Sequence, residues 1–527
     1  MGVVEDGAMS AGAESTVRLD EAAGRWVLFA TVLGSAVAMI TGTVVNVALP
    51  AIGEDLGAGV AGRQWLVTGY LFTLSALILL GGALGDRYGR RRVFLIGAVW
   101  FAVTSLFCAA APTLPLLIAA RVLQGIGAAL LTPGSLAIIQ STFVPGDRAR
   151  AIGAWSALGS IGAAVGPLLG GLLIDALSWR WIFLINLPLA IAVVYVGVRH
   201  VPESRDATVS GRPDVPGSLL SMVGLGGLTY AVIEAPVRGI GSALILIALL
   251  GGLAASVAFV VVERRERHPM LPLDIFASRQ FTSANMLCFV VYAALGGVFF
   301  LLVQHLQIVL GYSATLAGAA ALPVTGLMLV LSERSGALAQ RVGPKLPLTV
   351  GPALIAVGML LMALISAGDS YVGAVLPAVV VFGLGLAATV APVTATVLAA
   401  ADERHSGVAS GVNNAVSRVA QLLAVALLPV LAGLTSVDAQ IAPTDFAAGF
   451  RNAMLMAAGL AAAGSVLAFT TISNDVLADD TENEPSEGAE TERPQPVAAI
   501  AGSRRPAAQW HCAVEGAPLG PRERDCA

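Results

Sequence analysis

Arg121 and Gln124 stand three residues apart in the otherwise apolar run LPLLIAARVLQGIGAALL, so a helix carries both on one face. A guanidinium there costs about 2.5–3.5 kcal/mol on insertion scales, which suits either a charge put to use in a cavity or a side chain snorkelling to the surface. Facing a cavity, Arg121 could lower the pKa of a nearby acid or fix a substrate anion. A second stripe, Asn414, Arg418 and Gln421 at i, i+4 and i+7, reads equally as cavity lining or as a helix–helix hydrogen-bond cluster. His305 is a further titratable candidate, although a lone histidine at the end of an apolar run is more often structural. Cys108, Cys288, Cys512 and Cys526 lack metal-ligand spacing, and no nucleophile–base constellation appears, so neither a metal centre nor an enzyme is expected. The chemistry on offer is the binding and movement of charge.

The elements that position these groups are membrane spans. Charged residues make up 12% of the chain against about 25% in soluble domains; mean hydropathy is +0.81. A hydrocarbon core about 30 Å thick needs about twenty residues per helix. Fourteen such runs are readable, at roughly 26–49, 64–84, 92–111, 115–139, 152–175, 181–198, 217–233, 242–262, 283–303, 314–332, 346–366, 372–398, 406–433 and 450–472. Arg87, Arg90 to Arg92, Arg148, Arg150, Arg199, Arg264 and Arg265 fall on one set of loops, while Arg63, Arg180 and Arg238 fall on the other. The positive-inside rule then places both termini in the cytoplasm. Residues 1–25 form a cytoplasmic lead without a cleavable signal. Residues 473–527, acidic and then proline-rich, read as a disordered cytoplasmic tail.

An internal repeat divides the chain. GALGDRYGRR from Gly82 returns 254 residues later as GALAQRVGPK from Gly336, with Gln340 in place of the acid. The expected organisation is all-α: a six-helix bundle over 26–198, two inserted helices and their loops over 199–282, and a second six-helix bundle over 283–472. In the first copy Gly82 and Gly89 permit a tight turn, and Asp86, Arg87, Arg90 and Arg91 can pair with one another or with helix ends, a charge latch that breaks as the bundles rock. The fifth span holds Gly162, Gly166 and Gly170 on one smooth stripe, with Gly171 beside it. Pro167 interrupts the helix there, having no N–H for Ala163.

GAAVGPLLGGLL from Gly162 resembles the antiporter motif of the major facilitator superfamily, which marks that family's fifth helix. Gly82 to Arg91 is similar to its signature between helices two and three, and Leu117 to Ala129 to its fourth-helix motif, in which the arginine is associated with proton coupling. TVVNVALP from Thr43, SWRWIFLINLP from Ser178 and VLGYS from Val309 resemble the fourteen-helix drug:proton antiporter branch. That resemblance puts Asn46 on the substrate or proton pathway, together with Thr41, which stands where the branch usually has an acid.

The resemblance implies a cytoplasmic-membrane secondary exporter of amphipathic drugs, antibiotics or natural products, working as a monomer in the lipid bilayer, in exchange for protons, with no cofactor and no nucleic-acid partner. Lys345 is the only lysine and follows Pro344 rather than the glycine of a phosphate-binding loop, which argues against ATP drive within the chain. A proton entering under about 100 mV releases ~2.3 kcal/mol, enough for about a fifty-fold gradient of a neutral solute. The missing acid at Thr41 keeps open an uncoupled facilitator or importer of a polar metabolite, and less readily a membrane sensor or scaffold.

Overall fold

The computed structural model describes residues 17–205, 214–266, 269, 271–401, 406–435, 441–474 and 476. Its elements are α1 (Ala22–Leu56), α2 (Val60–Tyr88), α3 (Arg90–Ala110), α4 (Leu114–Thr142), α5 (Pro145–Ala176), α6 (Trp181–Leu184), α7 (Asn186–His200), α8 (Val215–Arg238) and α9 (Ala243–Arg265). They continue as α10 (Arg279–Ile308), α11 (Ala314–Ala319), α12 (Leu322–Val342), α13 (Lys345–Met362), α14 (Leu376–Ala399), α15 (Ser406–Leu431) and α16 (Pro443–Thr471). Thirteen helical stretches among the described residues are long and apolar enough to cross a membrane. The 32-residue α5 adds a fourteenth of spanning length, its apolar part being Val165–Ala176.

Proline explains where the expected spans are broken. Pro188, Pro323 and Pro377 have no N–H for the carbonyls of Leu184, Ala319 and Gly373. The chain accordingly divides into α6 and α7, into α11 and α12, and into the wide turn Tyr371–Val375 followed by α14. Apolar side chains on α9, such as Ile247, Leu250 and Val257, remain exposed, the surface a lipid-facing helix presents.

Helices α1 to α7 pack among themselves, α2 and α3 on α4, and α1 on α5 and α7. Helices α10 to α16 do the same, α13 on α14 and α16, and α10 on α15 and α16. The α8–α9 hairpin lies against both sets, through α2 and α15. The two halves turn alike: Gly89 between α2 and α3 has φ 109°, and Gly343 between α12 and α13 has φ 84°, a region costly for any residue with a Cβ. These glycines are 254 positions apart, the spacing of the sequence repeat.

Candidate functional site

A cavity of about 370 Å³ lies between the two sets of helices, with walls from α1, α2, α4, α10, α14 and α15. At its closed end are Asn46, Val67 and Val425; it runs to Leu398 and Ser410, near the ends of α14 and α15 on the side of the arginine-rich turns. Hydrogen bonds joining the halves gather at the opposite side. Gln64 Nε2 donates to the Val425 and Ala426 carbonyls at 2.9 Å each, Arg63 Nη1 to Gln304 Oε1 at 3.4 Å, and Gln307 Nε2 to the Val47 carbonyl at 3.0 Å. Asp175 at the end of α5 accepts the backbone N–H groups of Ala314 (3.3 Å) and Thr315 (2.9 Å) at the start of α11. Among the described residues, the two sets of helices are therefore bonded together at one end of the cavity and not at the other.

Of the residues singled out in the sequence, Asn46, Asn414, Arg418 and Gln421 line this cavity, joined by Tyr70, Tyr292 and Asn413. Arg121 does not, nor does Gln124, which corrects the cavity-facing placement. The Arg121 side chain is completely buried, and so has not snorkelled to the surface. Its Nε donates to the Leu66 carbonyl at 3.0 Å and its Nη1 to Gln124 Oε1 at 2.6 Å. The guanidinium lies 4.4 Å from the Tyr70 ring centroid and 6.0 Å from that of Phe183. Tyr70 is thus the partition between Arg121 and the cavity. Two polar dipoles and two ring faces take the place of water around the charge.

Thr41 is also walled off, and it belongs to the same polar network. Its Oγ1 donates to Asn186 Oδ1 at 3.0 Å; Asn186 Nδ2 donates to Ser105 Oγ at 3.3 Å, and Gln124 Nε2 to the same oxygen at 2.7 Å. A relay from α1 through α7, α3 and α4 therefore connects Thr41 to Arg121, each member wholly buried. Ser105 was not foreseen, and Asn186 only as part of the SWRWIFLINLP stretch; an asparagine and a serine inside apolar runs were the available signal. Thr41→Val should leave Asn186 Oδ1 without its donor and lower stability by about 1–3 kcal/mol. Thermal unfolding in detergent reads this directly, and an unchanged midpoint would mean that the bond carries nothing.

His305 lies inside the second half, not on the cavity wall. Its ring stacks on Phe450 at 3.9 Å between centroids, and its Nε2 is 3.2 Å from the Ile365 carbonyl. It does not line the cavity, and its Nδ1 is buried without a hydrogen-bond partner among the described residues. Glu403, an acid just before the thirteenth apolar run, falls outside the described residues.

In the turn after α2, Arg90 Nε donates to Asp86 Oδ1 at 2.8 Å. Arg91 and Arg92 donate backbone N–H groups to Glu203 at 3.1 and 3.2 Å, and Arg91 Nη1 reaches the Val201 carbonyl at 3.1 Å. Arg87 lies over the neighbouring Tyr88 ring. These partners all belong to the first half of the chain. Glu203, missed in the sequence, caps α3 and stands where a Cβ on Gly89 would fall 2.7 Å from its Oε1. Gly82 needs no such room: a Cβ there would meet Pro133 at an ordinary 3.6 Å.

The glycine stripe of α5 faces α1. A Cβ on Gly162 would lie 3.2 Å from Ala36 Cβ, and one on Gly166 2.8 Å from Thr43 Oγ1; Gly170 abuts Val44. Gly171 faces the other half, where a Cβ would lie 2.6 Å from Thr315 Cα, and the Pro167 carbonyl occupies the space beside Gly318. The motif thus builds both a packing seam and the seam between halves.

The family model described as Major Facilitator Superfamily matches residues 31–425. The Puromycin resistance protein of Streptomyces alboniger is 36% identical over 470 residues, 86% of this chain and 93% of that protein. The Tetracenomycin C resistance and export protein of Streptomyces glaucescens is 34% identical over 77% of this chain and 75% of its own length. Among solved structures, a peptide transporter POT in complex with sulfate aligns at a TM-score of 0.64 with 14% identity, covering 87% of this chain and 96% of the other; at that identity it speaks for the fold alone. The chain belongs to the Major Facilitator Superfamily and is a multi-pass membrane transporter rather than an enzyme.

Proposed function

We propose that the chain exports small amphipathic compounds, drugs, antibiotics or natural products, by alternating access in exchange for protons. The observation that carries this reading is the cavity between two helix sets, bonded shut at one end and reaching the arginine-rich end at the other. Its volume, about 370 Å³, suits a small organic molecule. The names of the relatives, resistance and export proteins, supply the direction. The bundles are 26–198 and 283–472, the hairpin between them is an insertion, and the monomer sits in the cytoplasmic membrane with its arginine-rich turns and both termini inside. The cavity then opens inward, the state that loads cargo. Asp86, Arg87, Arg90 and Arg91 form the latch, which in this state makes no bond to the second bundle among the described residues.

A second reading, an uncoupled facilitator, is favoured by one fact: among the described residues lining the cavity there is no carboxylate. The two are separated in cells expressing the chain and loaded with a fluorescent amphipathic dye. Under the export reading, expressing cells should retain several-fold less dye than controls, and a protonophore should abolish the difference. Retention equal to controls would dispose of export.

A further inference from the structure

We infer that the cavity takes amphipathic acids, molecules joining an apolar ring system to a carboxylate or similar anion, with Arg418 as the anion-binding group. The inference deepens the export reading and rests on it. Among the described residues lining the cavity, Arg418 is the one bearing a formal charge, and none is Asp or Glu. No hydrogen bond or ion pair engages Arg418 among the described residues, so its fork of donors is available to a guest. A guanidinium binds a carboxylate through two parallel bonds, and the surrounding low dielectric strengthens that attraction while it repels cations.

Other features support an anionic guest. The Asn414 and Gln421 side chains line the cavity on the helix that carries Arg418. The second guanidinium, Arg121, lies directly behind the Tyr70 wall with no carboxylate bonded to it among the described residues, and so adds positive potential. Across the cavity, Asn46 adds a further polar side chain to the lining. Leu71, Leu74, Leu295 and Phe299 supply the apolar remainder of the wall. A cation placed here would meet one positive charge, a second behind a ring, and no counterion on the described walls.

The test uses the full-length purified protein in detergent and three probes sharing one fluorophore: anionic dansylglycine, neutral dansylamide and cationic dansylcadaverine. Equilibrium binding should favour dansylglycine. Arg418→Gln should weaken it at least tenfold, Arg418→Lys, which keeps the charge without the paired donors, should restore only part of the affinity, and elution as a monodisperse peak should verify that each variant is folded. Tighter binding of dansylcadaverine than of dansylglycine, or an unchanged affinity in Arg418→Gln, would overturn the assignment. Transport of the same probes into inverted vesicles separates the two levels of inference. Movement of the cation without the anion overturns the charge preference and leaves export standing; movement of none of the three removes both.

Discussion

Replacing Arg121 with alanine is expected to abolish export and to lower stability by about 2–4 kcal/mol. Truncating a buried side chain of this size costs about 2–5 kcal/mol through lost contacts and residual cavity. Gln124 Oε1 would also lose its 2.6 Å donor, a further ~1–3 kcal/mol. Against this, removal of a guanidinium that has no carboxylate bonded to it relieves part of a large desolvation cost, and the net falls between. Arg121→Met separates the roles, because it fills much of the space without the charge. Thermal unfolding of Arg121→Met should lie closer to the parent than that of Arg121→Ala, while export stays absent in both. Export at the parent rate in Arg121→Met would reduce the arginine to packing.

The second large effect is expected from Gly171→Leu. Here α5 meets α11 across the seam between halves, and the new Cβ would lie 2.6 Å from Thr315 Cα and 2.5 Å from the Ala314 carbonyl oxygen. Backbone cannot yield as a flexible side chain can, so the helices must part and the two bonds from Asp175 to the start of α11 must stretch or break. We expect at least a tenfold loss of transport. A cysteine placed at Asn46, in a background with Cys512 and Cys526 changed to serine, should become reactive to an impermeant thiol reagent added from the sealed side. Cys108 and Cys288 are buried and should stay silent. Labelling unchanged from Gly171 would show that the α5–α11 seam does not hold the closed end.

What the sequence disclosed and what it withheld divides along the difference between spacing and partnership. Gly162, Gly166 and Gly170 could be read as one seam because four-residue spacing maps directly onto a helix face. Gly89 and Gly343 could be paired because a duplicated turn keeps its glycine wherever φ is positive. Asn414, Arg418 and Gln421 shared a face for the same geometric reason, and the open question of what that face met is answered by the cavity. Arg121 was visible as costly, but not its solution: the Leu66 carbonyl lies on another helix 55 residues away, and the Tyr70 ring between it and the cavity has no linear signature. His305 could not be placed, because a titratable ring in an apolar run looks the same whether it faces water or stacks on Phe450. Glu203 was overlooked because an acid amid arginines reads as a solvated loop until Arg91 and Arg92 are seen pointing their amides at it.

The claim that the two halves exchange a solute for protons is tested most directly in liposomes containing the purified chain, with an acidic interior, a pH-sensitive dye inside and the membrane potential clamped. Adding dansylglycine outside should trigger proton efflux several-fold above the leak of empty liposomes, and Arg121→Met should abolish it. Entry of dansylglycine with no proton efflux would contradict antiport, and the uncoupled facilitator would take its place.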